Sequence, residues 1–238
     1  MSSDAKDIKT NQAETVGNES VGDKLGYDKD SKERLPWEHY LQQYQSADPE
    51  EIAQRLGISY DKEQKFFTLK FLGTVYFISW PEFEITHEAD DMGFYPLETM
   101  VYARTLTIRF LLNGAASSGT GKFKTYREMP WGEVYLRQFD GRCIKRLAFS
   151  YGNRIKDFQA IMEHIHCVPV AHGDIAYQLE IFPGYLVQMI LWEGDDEFPP
   201  SSQILFSDNF PVSFQAEDMA VMGCLLYTSP SPRDISGS

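Results

Sequence analysis

Residues 65–80 read Lys-Phe-Phe-Thr-Leu-Lys-Phe-Leu-Gly-Thr-Val-Tyr-Phe-Ile-Ser-Trp, and this stretch decides the fold class. Apolar and polar residues alternate from Phe67 to Phe71, which is the period-two pattern of a half-buried strand. Gly73 suits a tight turn, and Pro81 stops the second strand because proline cannot donate to a ladder of hydrogen bonds. The stretch therefore predicts a β-hairpin.

Two other parts of the chain are predicted to be extended. Ile175–Phe182 and Tyr185–Trp192 form a closing strand pair that is joined through Pro183-Gly184. Residues 123–139 are expected to form another hairpin, with Pro130-Trp-Gly132 as the break between its strands.

Helical patterns fill much of the remaining chain. They cover Leu35–Tyr44, a short segment from Asp48 to Gly57, Pro96–Leu112, Ile144–His164 with a break near Gly152, and the region from Ala216. Asp48 can cap its helix and Gly57 can end it. Because helices and hairpins occur in separate runs, we predict an α+β fold, a single domain with a largely antiparallel sheet.

This domain is placed at residues 35–223, between two ends of different character. Residues 1–34 are almost entirely polar or charged, so a disordered leader is predicted. Residues 224–238 begin Cys-Leu-Leu-Tyr-Thr-Ser-Pro-Ser-Pro-Arg-Asp and resemble the translated read-through of a sequencing adaptor. Such a scar is excluded from fold reasoning, and we expect the native chain to be truncated near Gly223.

The charge of the domain excludes some classes of partner. Of the 35 acidic and 22 basic residues, 26 and 15 lie in residues 35–223, which gives this region a formal charge of −11. A strongly negative domain is repelled by nucleic acid and by anionic membranes, so neither is expected as a partner. Cys143 and Cys167 lie in no C-x-x-C pair, which fits a soluble protein of the reducing cytoplasm.

A metal site is one hypothesis for the segment between the helical pattern that ends at His164 and the closing strand pair. The candidate ligands are His164, His166, Cys167 and His172. Imidazole and thiolate bind zinc and iron, and a His-x-His pair points both rings the same way when it is extended. The alternative is that the histidines favour the negative end of a helix, since their spacing matches no closed ligand set.

The stretch Trp192-Glu-Gly-Asp-Asp-Glu-Phe-Pro-Pro200 is the most unusual in the chain. It places four carboxylates within five residues, at Glu193, Asp195, Asp196 and Glu197. Beside Trp192 they could bind a hard cation or a cationic ligand or partner, or act as a paired acid and base. The alternative is a solvated acidic turn that Trp192 and Phe198 anchor to the core.

Two further segments carry weaker signals. Arg127 could contribute a cation beside Trp131 in a cleft, or form an ordinary ion pair at a turn. The glycine-rich residues 116–122 lack the Ser or Thr that a phosphate-binding loop needs after Lys122, and they follow a helix rather than a strand. We therefore expect a flexible connector there.

Several stretches together carry a family resemblance. They are Leu35-Pro-Trp-Glu-His-Tyr40, Phe67-Thr-Leu-Lys-Phe-Leu-Gly73, Ser79-Trp-Pro81, Gly121-Lys-Phe-Lys-Thr-Tyr-Arg-Glu-Met-Pro130, Phe139-Asp-Gly-Arg-Cys143 and Leu191-Trp-Glu-Gly-Asp-Asp-Glu-Phe-Pro-Pro200. Over nearly all of residues 35–223 the chain resembles the bacterial and archaeal family called domain of unknown function 3786. The resemblance implies no established activity. Some relatives carry an iron–sulfur module ahead of this domain, which implies anaerobic one-carbon or corrinoid metabolism, but the leader of this chain has no cysteine.

The leading hypothesis is a binding or accessory domain whose acidic stretch forms a ligand or partner surface. The alternative is a metal- or cofactor-dependent protein of anaerobic one-carbon or corrinoid metabolism, and a third hypothesis is a structural companion subunit. Whether the chain is an enzyme, which cofactor it uses and how it oligomerises are left open by the sequence.

Overall fold

The computed structural model describes residues 31–227, and it describes side chains from Trp37 onward. The described residues divide into two units after Trp37. Only the start of a helix is described in the first unit, so the predicted leader up to residue 30 lies outside the described residues. The fold below is that of the second unit.

Helices form one part of this fold. They are α1 (Ser31–Ser46), α2 (Pro49–Leu56), α3 (Pro96–Thr99), α4 (Val101–Asn113), α5 (Gly132–Phe139), α6 (Lys145–Tyr151), α7 (Ile155–His164) and α8 (Ala216–Tyr227). Short 3-10 turns at Tyr126–Glu128 and Phe210–Val212 precede α5 and α8, and a π-helical turn at Asp140–Ile144 joins α5 to α6. Within residues 31–227, every helix is too short or too polar to cross a membrane.

Two antiparallel sheets form the other part. The strands are β1 (Ser59–Asp61), β2 (Phe66–Phe71), β3 (Thr74–Ser79), β4 (Ile85–His87), β5 (Phe123–Thr125), β6 (Val168–Pro169), β7 (Ile175–Phe182), β8 (Tyr185–Trp192) and β9 (Ser201–Ser207). The four-stranded sheet has the order β1-β2-β3-β4, and the five-stranded sheet has the order β5-β9-β8-β7-β6. The predicted α+β fold with antiparallel strands is confirmed.

The hairpin that decided the fold class is formed by β2 and β3. Leu72 and Gly73 make its two-residue turn with φ angles of 49° and 91°, which matches the twist of the flanking strands. Phe67, Leu69 and Phe71 are fully buried on one face of the sheet, as their alternation predicts.

The closing strand pair β7–β8 is also confirmed, and it forms the centre of the larger sheet. Its partner β9 was not predicted as a strand. β9 runs antiparallel to β8, with Trp192 opposite Ser201, and its far end pairs with β5. This arrangement leaves the segment 193–200 as the connection between two paired strands at one end of the sheet.

Aromatic side chains join the two sheets in one core. Phe182 of β7 packs against Phe71 of β2, with ring centroids 4.9 Å apart, and against Phe110 of α4 at 4.3 Å. Phe214 stacks on Phe110 at 5.4 Å. The amide of Leu72 also donates to the carbonyl of Ile181 at 3.1 Å, so backbone and side chains both connect the sheets.

The predicted hairpin over residues 123–139 is wrong beyond Thr125. Thr125 and Glu128 form a capping box that starts a 3-10 turn, and Gly132 then begins α5. An added Cβ at Gly132 would lie 1.9 Å from the carbonyl oxygen of Tyr126, so this close approach requires glycine. The Pro-Trp-Gly break is therefore a helix start rather than a hairpin turn.

Several helix boundaries also differ from the predictions. α1 begins at Ser31, and the single helical pattern at Pro96–Leu112 is two helices because Met100 is extended, with φ −120° and ψ 114°. α8 continues through Tyr227 and buries Leu225 and Leu226. The adaptor origin of residues 224–238 stays a prediction, and residues 228–238 lie outside the described part of the chain.

The connector at residues 114–122 is anchored along its length rather than free. The amide of Ala116 donates to the carbonyl of Arg55 at 2.8 Å, and the amide of Thr120 donates to the carboxylate of Asp208 at 2.8 Å. The Asn209 side chain donates to the carbonyl of Ser117 at 3.1 Å. These bonds fix the loop against the C-terminal end of α2 and the segment that follows β9.

Candidate functional site

The four predicted metal ligands occupy different environments. His164 ends α7, and its Nε2–H donates to the carbonyl of Met92 at 2.9 Å, so this nitrogen is not available to a metal. His166 is exposed, with Nε2 3.7 Å from Asp91 Oδ1. Burial raises the pKa of the Cys167 thiol to about 12, so it is protonated at neutral pH.

His172 lies in the exposed loop before β7. Among residues 31–227, no group of three or more His, Cys, Asp or Glu side chains is placed to hold a metal ion. The structure therefore does not bring the predicted ligands together as one set.

Arg127 lies in the 3-10 turn before α5. Its Nε is 3.4 Å from Glu133 Oε1, and both side chains are well exposed. This is the ordinary ion pair that the sequence allowed, although it stands at a helix start rather than at a hairpin turn.

The acidic–aromatic turn, residues 192–198, has a conformation fixed by one of its own carboxylates. Asp195 Oδ1 accepts the backbone N–H groups of Glu197 at 2.8 Å and of Phe198 at 2.6 Å. The Asp195 amide in turn donates to the carbonyl of Phe198 at 2.9 Å. The hydrogen bonds from Phe198 and Glu197 lower the pKa of Asp195, because they favour its charged form.

Neighbouring segments hold both flanks of the acidic–aromatic turn. Asp174 Oδ2 accepts the amide of Glu193 at 2.8 Å. A Cβ on Gly194 would lie 2.6 Å from Pro200 Cδ, so no side chain fits at this position without a shift. The Gly194 amide points to the carbonyl of Gly152, 3.4 Å away, at the C-terminal end of α6.

The functional groups of the acidic–aromatic turn remain at the surface. Trp192 is 36% exposed, so most of its ring is covered where β8 ends, whereas Phe198 is 67% exposed and lies mostly in water. Glu193, Asp196 and Glu197 are exposed, and none of them forms an ion pair with another residue of the described range 31–227. The site is thus an ordered backbone that presents two aromatic rings and three free carboxylates.

The family model named Domain of unknown function (DUF3786) matches residues 48–229. The chain belongs to this family. The matched region of the DUF3786 chain begins at the N-cap of α2 and contains every strand of both sheets, together with the acidic–aromatic turn. Comparison with the curated proteins and with the solved structures gave no match.

The DUF3786 domain also contains a polar cluster that the sequence analysis missed. His87 Nδ1–H donates to Glu98 Oε1 at 2.6 Å, and the His87 ring stacks on Tyr95 with centroids 3.6 Å apart. Tyr95 donates to Asp90 Oδ1 at 2.8 Å. Opposite His87 in the sheet is Tyr76, whose buried hydroxyl has no hydrogen-bond partner among the described residues.

Electrostatics in this cluster follow from its hydrogen bonds. Burial acts to raise the pKa of Asp90, but hydrogen bonds from Tyr95, Met92 and Thr74 outweigh it and lower the pKa. The carboxylate thus stays charged and fastens the loop after β4 to the sheet. His87 ends strand β4 and Glu98 lies in helix α3, so no single helical or strand period relates them and sequence reasoning had no signal for the pair.

An apolar cavity of about 590 Å³ is a second missed feature of the DUF3786 domain. Phe139 and Cys143 line it from the α5 side, and Tyr135 donates to Glu217 Oε1 at 2.8 Å across its edge. Cys143 Sγ is 3.7 Å from Cys224 Sγ of α8. Because helices α5 and α8 are far apart in sequence, only tertiary packing forms this space.

Proposed function

We propose that this DUF3786 domain is a binding or accessory domain of the cytoplasm, and that its acidic–aromatic turn is the surface that binds a protein partner. One observation supports this function above the others. The backbone of the turn is fixed by the hydrogen bonds of Asp195 and Asp174, whereas Phe198, part of Trp192 and the remaining carboxylates are exposed, and these carboxylates form no ion pair with residues 31–227.

Such an arrangement reduces the entropic cost of binding. A loop that already has its bound conformation loses little freedom when a partner arrives, so more of the contact energy appears as affinity. Trp192 can supply a central apolar contact, since tryptophan is enriched among the residues that dominate interface energetics. The exposed Phe198 can add apolar area next to it.

The free carboxylates define the chemistry of the partner. Glu193, Asp196 and Glu197 attract a surface of lysine and arginine, which steers the encounter and selects the orientation of binding. A partner surface that is itself acidic would be repelled by these groups. The proposed partner therefore carries a basic surface with an apolar recess.

The test compares tagged full-length chains in quantitative affinity purification from the native host. The variant E193Q/D196N/E197Q removes charge but keeps Asp195, which holds the backbone. E50Q/E51Q is the matched control, because these carboxylates lie on the exposed side of α2. We expect a partner that is recovered with wild type and control but lost with the turn variant. If all three chains recover the partner equally, the turn is not the binding surface.

The same preparations distinguish this function from the metal- or cofactor-dependent alternative. Elemental analysis and native mass spectrometry of the chain, purified without oxygen, report any stoichiometric metal or retained small molecule. A stoichiometric metal that is lost in His166→Ala would favour the alternative. An apo chain with turn-dependent partner recovery would support the proposed function.

A further inference from the structure

The charge of this acidic chain is distributed very unevenly. Residues 134–156 contain six basic residues and one acidic residue, which gives them a formal charge of +5. Since the whole chain carries −13, all other residues together carry −18. This basic segment is the stretch that was first predicted to be partly extended, and its helical structure determines where the charges lie.

The helix α5, the π-helical turn and α6 form one rod with a buried side and an exposed side. The buried residues recur every four positions, at Phe139, Cys143, Leu147 and Tyr151. In a regular α-helix each such step drifts by about 40° around the axis. The π-helical turn, closed by the Lys145 amide on the Asp140 carbonyl, adds one residue and brings these side chains back into line.

The opposite side of the rod is basic and partly apolar. We call it the basic face and define it by the exposed residues Arg137, Arg142, Lys145, Arg146 and Phe149. Phe149 is 92% exposed, and together with Lys145 and Arg146 it lines a shallow groove of about 400 Å³. Arg137, Arg142 and Lys145 form no ion pair with any residue in the range 31–227.

The basic face ends next to the acidic–aromatic turn. A Cβ on Gly152, directly after α6, would lie 2.1 Å from Pro200 Cβ, so the Pro200 ring packs directly on the Gly152 backbone. Ser202 Oγ–H also donates to the carbonyl of Ile144 at 2.6 Å. The chain therefore carries, side by side, an acidic surface with two exposed rings and a basic surface with an exposed ring and a groove.

We propose that a second copy of this chain binds here, with the acidic–aromatic turn of each copy on the basic face of the other. Two adjacent complementary surfaces form a self-complementary patch, which is the requirement for a two-fold symmetric dimer. The contact would pair Glu193, Asp196 and Glu197 with Arg142 and Lys145 of the second copy, and it would cover Phe149. This inference rests on the proposed function, because it names the partner of the same turn.

Charge complementarity favours a second copy over a polyanion. A nucleic acid is an extended polyanion that would run from the basic face onto the rest of the chain, which carries −18, whereas the acidic–aromatic turn is compact and brings aromatic rings to the exposed Phe149. Nucleic-acid binding is therefore an outcome of the test rather than a part of the proposal.

The first measurement is sedimentation velocity of the untagged full chain at protein concentrations up to roughly 0.1 mM. We expect a mass of twice 27.3 kDa at low salt and dissociation toward the monomer as salt rises from about 0.05 M to about 0.5 M, because screening weakens pairs of exposed charges. A monomer at every concentration in low salt would overturn the proposal.

The decisive test is a charge reversal in two chains. R142E/K145E makes the basic face acidic, and D196K/E197K makes the acidic–aromatic turn basic. Each variant alone should be monomeric, because like charges then meet at both contacts. A mixture of the two variants should form a one-to-one dimer, since each of the two contacts regains an acidic and a basic side.

A matched control and an apolar variant complete the set. E50K/K62E reverses the exposed ion pair at 2.7 Å between α2 and the turn after β1, and it should dimerise like wild type. Phe149→Ala should weaken the dimer at least several-fold. If the reversed variants remain dimeric alone, or if their mixture stays monomeric while wild type dimerises, the interface lies elsewhere and the inference is wrong.

The outcomes separate this inference from the proposed function. A monomeric wild type whose partner is lost with E193Q/D196N/E197Q would overturn the second copy and keep the turn as a binding surface. A dimer that E193Q/D196N/E197Q leaves intact would overturn the inference, whatever partner is recovered. Binding of a single-stranded RNA oligonucleotide that R142E/K145E abolishes would assign the basic face to nucleic acid and would also overturn the inference.

Discussion

Two regions of the domain are rich in aromatic residues and meet water in opposite ways. At the junction of the two sheets Phe182 is fully buried, and rings from β2, α4 and the segment before α8 surround it. In the acidic–aromatic turn Phe198 is 67% exposed. Phe182 ends strand β7, and Phe198 lies in the connection between β8 and β9 of the same sheet. The difference is whether another layer of the fold covers the ring.

The largest effect is expected from removal of a ring at the sheet junction. Phe182→Ala should lower the free energy of unfolding by about 3–5 kcal/mol, because the lost ring leaves a cavity between Phe71 and Phe110. Phe198→Ala is the matched control and should change it by less than about 0.5 kcal/mol. Urea denaturation measures both. Similar losses for the two variants would remove the contrast between core and turn.

A second effect concerns the buried charge next to the junction. Asp218 Oδ1 pairs with Arg109 at 2.8 Å, and Asp218 Oδ2 accepts the amide of Gln215 at the start of α8. Asp218→Ala leaves both donors without this partner and should lower the free energy of unfolding by about 2 kcal/mol. The loss is smaller than for a fully buried ion pair because Arg109 keeps partial access to water. Thermal melts measure this loss. Glu197→Ala in the turn serves as control and should leave the melting temperature unchanged.

A third variant tests whether the buried hydroxyl of Tyr76 reduces the stability that its ring contributes. The Tyr76 hydroxyl is buried and forms no hydrogen bond of normal geometry with a described residue; burial and the Glu98 charge raise its pKa, and the nearby backbone of Leu97 offsets this only in part. Tyr76→Phe removes the unsatisfied hydroxyl and keeps the ring, so the free energy of unfolding should rise by roughly 1 kcal/mol. A destabilised variant would show instead that the hydroxyl has a partner, such as bound water.

The smallest effect is local and depends on pH. Hydrogen bonds from Phe198 and Glu197 lower the pKa of Asp195, so its stabilising contribution is present above its ordinary pKa and is lost as pH falls through the lowered value. Hydrogen exchange of the Glu197 and Phe198 amides should therefore lose protection in acid. In Asp195→Asn the amide oxygen accepts the same bonds without titrating, so the pH dependence should flatten while unfolding of the core stays unchanged.

The helical rod shows why part of the fold could not be predicted. Val134, Tyr135 and Leu136 form an apolar run that suits a strand, and Pro130-Trp-Gly132 suits a turn. The helix is selected because Phe139, Cys143 and Leu147 then face the core together, which requires the π-helical turn. A register of this kind is visible only when the surface that it packs against is known.

The candidate site divides in the same manner. The acidic stretch could be found from composition, because four carboxylates beside Trp192 are conspicuous in any sequence. Three other features could not be found from the sequence: the exposure of Phe198, the hydrogen bonds by which Asp195 holds the backbone, and the position of α6 beside the turn. They depend on β9 pairing with β8 and on Pro200 packing against Gly152. The His87–Glu98 pair also depends on tertiary contact.

The sequence by itself determined the α+β class, both hairpins of alternating residues, the caps of α2 and the family to which the chain belongs. These features depend on neighbours within a few positions or on motifs along the chain, and local physical chemistry decides them. Only the tertiary structure decided which aromatic rings are covered, which histidines meet a carboxylate and where the basic residues of the rod face. Each of these depends on surfaces from distant segments coming together, because burial and electrostatic pairing are properties of the packed chain rather than of its local sequence.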